Sequence, residues 1–238
     1  MLYDSPQMLA GGKSNTGLTA SEKLAIVAQR YKMPGLLAMQ PSEQNIYDSI
    51  DISTFSTSGA TTVQFFSNAN TRQFPFTNIQ QNQLKAGNVI VVMYCQFALI
   101  TVASGVITDI RCLEENLGPT TGATYKPLLA SQMTLVLGSS EVFKDLPIIA
   151  GYAGFNPNAT FGNKVASSVV AGTPANTTMV QYGSSNIDLA SEPVILPQLE
   201  FKLNLLVPQL ATLPASGTQY LRCTLGGFGT IPAMSAPM

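Results

Sequence analysis

Hydrophobic and polar residues alternate with a period of two through much of this chain, and one stretch departs from the alternation by being apolar almost throughout. Ala86 to Thr108, AGNVIVVMYCQFALITVASGVIT, carries no charge over more than twenty residues. Its length would suit a membrane-spanning helix, which needs about 20 such residues. Its chemistry does not. Val, Ile and Thr dominate, and β-branched side chains lose rotamer freedom in helices but pack well on a pleated surface. Asn88 and Gln96 would need partners inside lipid. Lys85 and Arg111 are single charges rather than the basic cluster that orients a span. The pattern predicts a long strand from Asn88 to about Val102, a turn at Ser104-Gly105 and a short strand from Val106 to Ile110. A strand covered on both faces reads as such a continuous apolar run.

From the start of the chain, Met1 to about Gly17 is small, polar and Gly-rich, an arm without periodicity. Thr19 stands three residues before Glu22, the spacing of a capping box. Leu24, Val27, Ala28 and Tyr31 follow at helical spacing until Pro34-Gly35 stops them. This predicts one short amphipathic helix over 20–32, then a polar linker from Pro41 to Ser49. From Asp51 the period becomes two. Thr61, Val63 and Phe65 alternate with Thr62, Gln64 and Phe66, ahead of a turn at Ser67-Asn68-Ala69-Asn70. Phe74-Pro75-Phe76 is extended, since proline fixes its own φ and restricts its predecessor. Beyond the central run, Glu114 to Lys126 reads as a loop with Gly118-Pro119 and Gly122 as punctuation. Met133, Leu135 and Leu137 alternate with Gln132 and Thr134. The chain then turns at Gly138-Ser139-Ser140 into a return strand ended by Pro147, a hairpin.

Residues 150–176 lose all periodicity, and a loop of this length is usually functional or part of an interface. Strands are predicted at Thr177–Tyr182 and Ile187–Leu189. The clearest alternation follows: Leu199, Phe201, Leu203, Leu205 and Val207 oppose Gln198, Glu200, Lys202 and Asn204. In the last strand Leu221, Cys223 and Leu225 oppose Tyr220, Arg222 and Thr224, and Gly226 onward reads as a Gly/Pro/Ala tail. The inventory is about eight to ten strands with no helix after the first. Without βαβ units the pairing is antiparallel, and no fixed-period repeat marks a propeller or solenoid. Eight strands in two facing sheets with long crossing loops make an all-β, antiparallel β-sandwich of the jelly-roll type. The division expected is an N-terminal arm with its helix over 1–50, a single sandwich over 51–232 and a tail over 233–238.

Charge changes the picture. Only 11% of the 238 residues are charged and the net charge is −1, against about 25% charged in an ordinary soluble domain. A free monomer keeps a well-charged surface for solubility, so this composition suits a chain covered by its own copies or by partners. No basic excess marks a nucleic-acid surface. Cys95, Cys112 and Cys223 are scattered without C-x-x-C spacing, so neither a zinc site nor a disulfide framework is expected. Met1 to Asn15 lacks the basic start and apolar core of a signal peptide.

Candidate chemistry is thin. The chain has no histidine, which removes the commonest general base, the Ser-His and Cys-His nucleophile systems and the commonest metal ligand. Glu114-Glu115 with Asp109 is a conceivable hard-cation site, but adjacent carboxylates in a polar loop more often form a solvated face. No segment has the strand–turn–helix setting of a nucleophile elbow for a Ser-Lys hydrolase. Gly226-Gly227-Phe228-Gly229 lacks the spacing and following helix of a phosphate loop and reads as a flexible strand exit. Asn158 and Asn176 match the glycosylation acceptor pattern by composition. Lys23, Arg30 and Lys32 line the polar side of the N-terminal helix. That suits either an interfacial membrane helix or one packed under the β domain or on a neighbouring subunit. No catalytic, cofactor or metal site is therefore expected, and no enzyme.

The arm with its short helix, the strand Thr61–Phe66, PFTNIQQNQLKAGNVIVVMYCQFALITV, QMTLVLGSSEVFKDLPI, and EPVILPQLEFKLNLLVPQL with GTQYLRCTLGG carry a resemblance. Together they resemble jelly-roll capsid proteins of tailless, icosahedral, often membrane-containing bacteriophages, over about residues 51–230. The resemblance implies a coat subunit made in the host cytoplasm and resident in the virion. Its partners would be other copies of itself, in trimeric or hexameric capsomers, and other virion proteins, with the arm in reach of an internal membrane and no specific nucleic-acid binding. Familiar major capsid proteins of this class often fuse two jelly rolls, whereas this strand inventory fills one. The alternative is a receptor- or carbohydrate-binding jelly-roll module, a spike or fibre tip, with Tyr152 and Phe155 of the long loop as its aromatic site. A metal-dependent cupin would need the histidines that the chain lacks.

Overall fold

The computed structural model describes residues 18–39, 41–67, 74–79, 82–113, 122–148, 186–189 and 191–230. Along them run α1 (Ala20–Arg30), β1 (Pro41–Asp51), β2 (Thr61–Phe65), β3 (Ile90–Ala103), β4 (Val106–Cys112), α2 (Gly122–Leu129), β5 (Gln132–Leu137) and β6 (Ser140–Pro147). Then come β7 (Asn186–Asp188), β8 (Val194–Ile195), β9 (Phe201–Val207) and β10 (Gln219–Thr230). The strands form two antiparallel sheets. One has the order β1-β10-β3-β4, with β7 and β8 lying end to end with β4 along the same side of β3. The other has the order β2-β9-β5-β6.

Most of the apolar run becomes β3, buried along much of both faces but open to solvent at Met93. Ile90, Val92, Cys95, Phe97 and Leu99 face the core between the sheets, while Val89 and Val91 face the opposite side. The alternation is reset at Met93, an extra residue between the Val92–Gly227 and Tyr94–Gly226 pairs. Such a bulge bends the strand and re-aims its side chains. β5 and β9 meet β3 and β10 across the core, with Met133, Leu135, Phe201, Leu203, Leu205 and Val207 buried from one side and Leu221, Cys223 and Leu225 from the other. Phe65, at the end of β2, stands edge-on to Phe97 of β3 at 6.1 Å, and Phe66 lies 5.4 Å from Phe201.

α1 packs outside this core. Its Thr19–Glu22 capping box forms as predicted. The helix ends with Lys32 at φ 53 and Met33 N–H bonded back to the Ala28 carbonyl at 2.8 Å, the αL stop of a Schellman motif. Leu24, Val27, Ala28 and Leu36 cover Val89, Val91 and Phe228 on the outer face of the first sheet, a second small core. Of the two placements weighed for this helix, packing on the β domain is the one seen.

Three expectations are corrected. Pro41 to Ser49 is not a linker but part of β1, whose full length pairs with β10, so the sheet begins at Pro41. The stretch after Glu114 contains helix α2, with Leu128 and Leu129 buried, so α1 is not the last helix. Gly226 to Thr230 is the far end of β10 rather than a tail. The strand expected over Thr177–Tyr182 lies outside the described residues.

Candidate functional site

A shaped concavity lies where α1 crosses one end of the sandwich. It is a cleft of about 610 Å³. Lys23, Ile26, Val27 and Arg30 give it one wall, at the i, i+3, i+4, i+7 spacing that puts side chains on one helix face. The β5–β6 turn from Leu137 to Val142 gives the opposite wall, and Val194, Leu196 and Leu199 close it. Val91 of β3 contributes to its floor. The turn is held in place because Gly138 adopts φ 59 and its N–H bonds the Glu200 carbonyl at 2.7 Å. At one end Lys23 and Glu192 form an ion pair whose two side chains are largely buried, and the Lys23 ammonium lies 5.8 Å from the Phe228 ring. At the other end stands Arg30, beside the Tyr31 ring.

Two polar clusters belong to the frame rather than to a reaction. Asp48 is fully buried at an inward-facing position of β1, accepting the Ser49 N–H at 3.0 Å and the Phe66 N–H at 2.7 Å. Phe66 adopts φ 66 just past β2, so this carboxylate ties one sheet to the strained exit of the other. Close by, the Cys95 and Cys223 sulfurs sit 3.6 Å apart, both buried. Burial pushes the Cys223 thiol well up, helped by Cys95 and the Asp48 charge, which makes it a poor nucleophile. On the outer face Arg222 donates to the Pro75 carbonyl at 2.6 Å and to Ser49 Oγ at 3.3 Å, and lies over the Tyr47 ring at 4.3 Å. Half-burial lowers its pKa, while Tyr47 works the other way. The Asn78 side chain bridges the edge of β1 that no other strand pairs with among the described residues, accepting from Tyr47 N–H at 2.8 Å and donating to the Asn45 carbonyl at 2.7 Å. It occupies the hydrogen bonds that another strand would use.

The weak candidates from the sequence do not converge. Asp109 lies in β4, and Glu114-Glu115 lie outside the described residues, as do Asn158, Asn176, Tyr152 and Phe155. Among the described residues no three His, Cys, Asp or Glu side chains gather at metal-binding distance, and no helix is long and apolar enough to cross a membrane. Gly226, Gly227 and Gly229 have a packing role. A Cβ on Gly226 would overlap the Tyr94 ring and Asn45, and one on Gly227 or Gly229 the carbonyl oxygens of Val91 or Val89. The Tyr94 ring crosses above Gly226 and its hydroxyl donates to Asn45 Oδ1 at 2.9 Å, linking three strands. The cleft itself was not foreseen. Its walls come from segments more than a hundred residues apart, and each reads locally as ordinary helix, turn or strand end.

No known protein family, curated protein or solved structure matches the chain.

Proposed function

We propose that this chain is the structural subunit of a shell, a coat protein built on a single jelly roll that assembles with copies of itself. The observation that carries this reading is the strand order. β1 pairs with β10, β2 with β9, β3 with β7 and β8, and β5 with β6. The chain is thus folded back on itself as one nested antiparallel ribbon. Wrapping the ribbon brings β10 against β3 and β9 against β5, and these pairings support the jelly-roll reading, in which β4 would be an added strand.

A fold supports many functions, so surface chemistry has to supply the rest. Phe74 is 82% exposed, Leu37 65% and Val106 64%, in a chain with few charges. Uncharged polar and apolar surface can be buried between subunits without stripping water from ions. Val106 and Ile110 lie on β4, an edge strand with no further strand beside it among the described residues. Unpaired edges of this kind invite contact with another chain.

The test is the mass of the purified native species by light scattering, followed by negative-stain imaging of the same sample. Shells, rings or stable trimers and hexamers are expected. A monodisperse monomer at high concentration would overturn the reading.

A further inference from the structure

We infer that the cleft under α1 binds a long-chain carboxylate, with the acid group on Arg30 and the chain along the apolar walls. This goes beyond shell building and does not depend on it. Four charged side chains line the cleft: Lys23, Arg30, Glu141 and Glu192. Lys23 and Glu192 neutralise each other, and Glu141 is bonded to Lys144 at 3.4 Å. Arg30 has no carboxylate partner among the described residues. The lining therefore carries one cation without a carboxylate partner at one end, beside apolar side chains among which Ser139, Ser140 and Ser191 are interspersed. A planar guanidinium matches a carboxylate in a two-bonded fork.

The shape selects the rest of the ligand. Lys23 and Arg30 are seven residues apart on one helix face, about 10 Å along the axis, and Ile26 and Val27 fill the distance between them. Opposite stand Val142, Val194, Leu196 and Leu199. The site thus offers an apolar stretch between Lys23 and Arg30 and a cation at the Arg30 end. Its volume of about 610 Å³ lies within the roughly 300–1,000 Å³ usual for small-molecule sites. A neutral chain would cover Arg30 without pairing it, and burying an unpaired charge is unfavourable.

The experiment titrates the full chain with dodecanoate below its micelle concentration by calorimetry, with dodecanol as the uncharged probe of equal length. Saturable binding of one dodecanoate per chain is expected. Arg30→Ala should weaken it about tenfold, the equivalent of one charge-assisted hydrogen bond, with an unchanged circular dichroism spectrum. Dodecanol should bind correspondingly more weakly and be indifferent to Arg30→Ala. Val194→Trp, which fills the trough and leaves Arg30 in place, should abolish binding of both. Absence of saturable binding would overturn the proposal. So would dodecanoate affinity untouched by either variant, or dodecanol binding as tightly as dodecanoate.

Discussion

Asp51 joins three segments through one side chain. Its Oδ1 accepts the Ser53 N–H at 2.9 Å, starting the turn after β1. Its Oδ2 accepts the Gly217 N–H at 2.7 Å and the Ser216 hydroxyl at 3.3 Å from the loop before β10. Burial works against its ionisation, but the bonds from Ser53, Gly217 and Ser216 outweigh it and hold its carboxyl below the ordinary Asp range. A carboxylate depressed in the folded state contributes stability that is complete above its unfolded pKa, about 3.9. That contribution is lost as pH falls through the lower folded value. Asp51→Asn removes the charge and keeps one acceptor, so its urea midpoint should lie below wild type at pH 7, and the gap should narrow as pH falls through the acid range below about 4. Parallel curves across that range would mean that the carboxylate charge does not matter here. Asp48 shows the other use of an acid in this fold. It holds two backbone amides inside the core, and no pattern of alternation would place an Asp at an inward position.

At the scale of the element, the close approach of β10 to β3 depends on glycine. A Cβ at Gly227 would run into the backbone of Val91 and Met93, which cannot yield as a flexible side chain would. Gly227→Ala should destabilise the protein by about 1–3 kcal/mol, the usual cost of overpacking. Gly59→Ala, where a Cβ meets nothing within 4 Å, should stay within about 0.5 kcal/mol. Equal urea midpoints for the two variants would remove the account of the bulge. The same glycines explain what the sequence concealed. Gly226, Gly227 and Gly229 read as a strand exit because glycine weakens strands, yet here it admits the Tyr94 ring and the neighbouring backbone. β1 was hidden because Asp48 breaks the apolar rhythm between Ile46 and Ile50, and because its first half is polar. α2 was hidden behind Gly122 and Pro127. By contrast β3, β5 and β9 were legible because at least one face of each is apolar without interruption, and β4 and β6 because the turns at Ser104-Gly105 and Gly138-Ser139-Ser140 mark them as the return strands of hairpins. The cleft was not legible at all, since no local pattern records that Arg30 and Val194 share a space.

For the whole molecule, the two sheets close one core and α1 closes a second, smaller one, yet apolar side chains remain outside both. Leu37, Phe74, Val106 and Ile110 are more than half exposed, while only 11% of the chain is charged. The proposed coat role gives this surface a use, and it also fixes how assembly should respond to salt. Contacts made by ion pairs weaken as screening shortens the Debye length from about 10 Å at 0.1 M to about 3 Å at 1 M. Contacts made by apolar and uncharged polar groups are insensitive to screening, and sulfate strengthens them by exclusion from the surface. The described ion pairs add little to the alternative, since Lys23–Glu192 is internal and Lys144–Glu141 is a three-residue pair on one strand. The concentration at which half the chains assemble should therefore change by less than about threefold between 0.1 and 1 M sodium chloride, and fall in ammonium sulfate. Light scattering across a dilution series reads this directly. A tenfold or larger loss of assembly at 1 M chloride would mean that charged groups hold the copies together, and the low-charge surface would then need a different explanation.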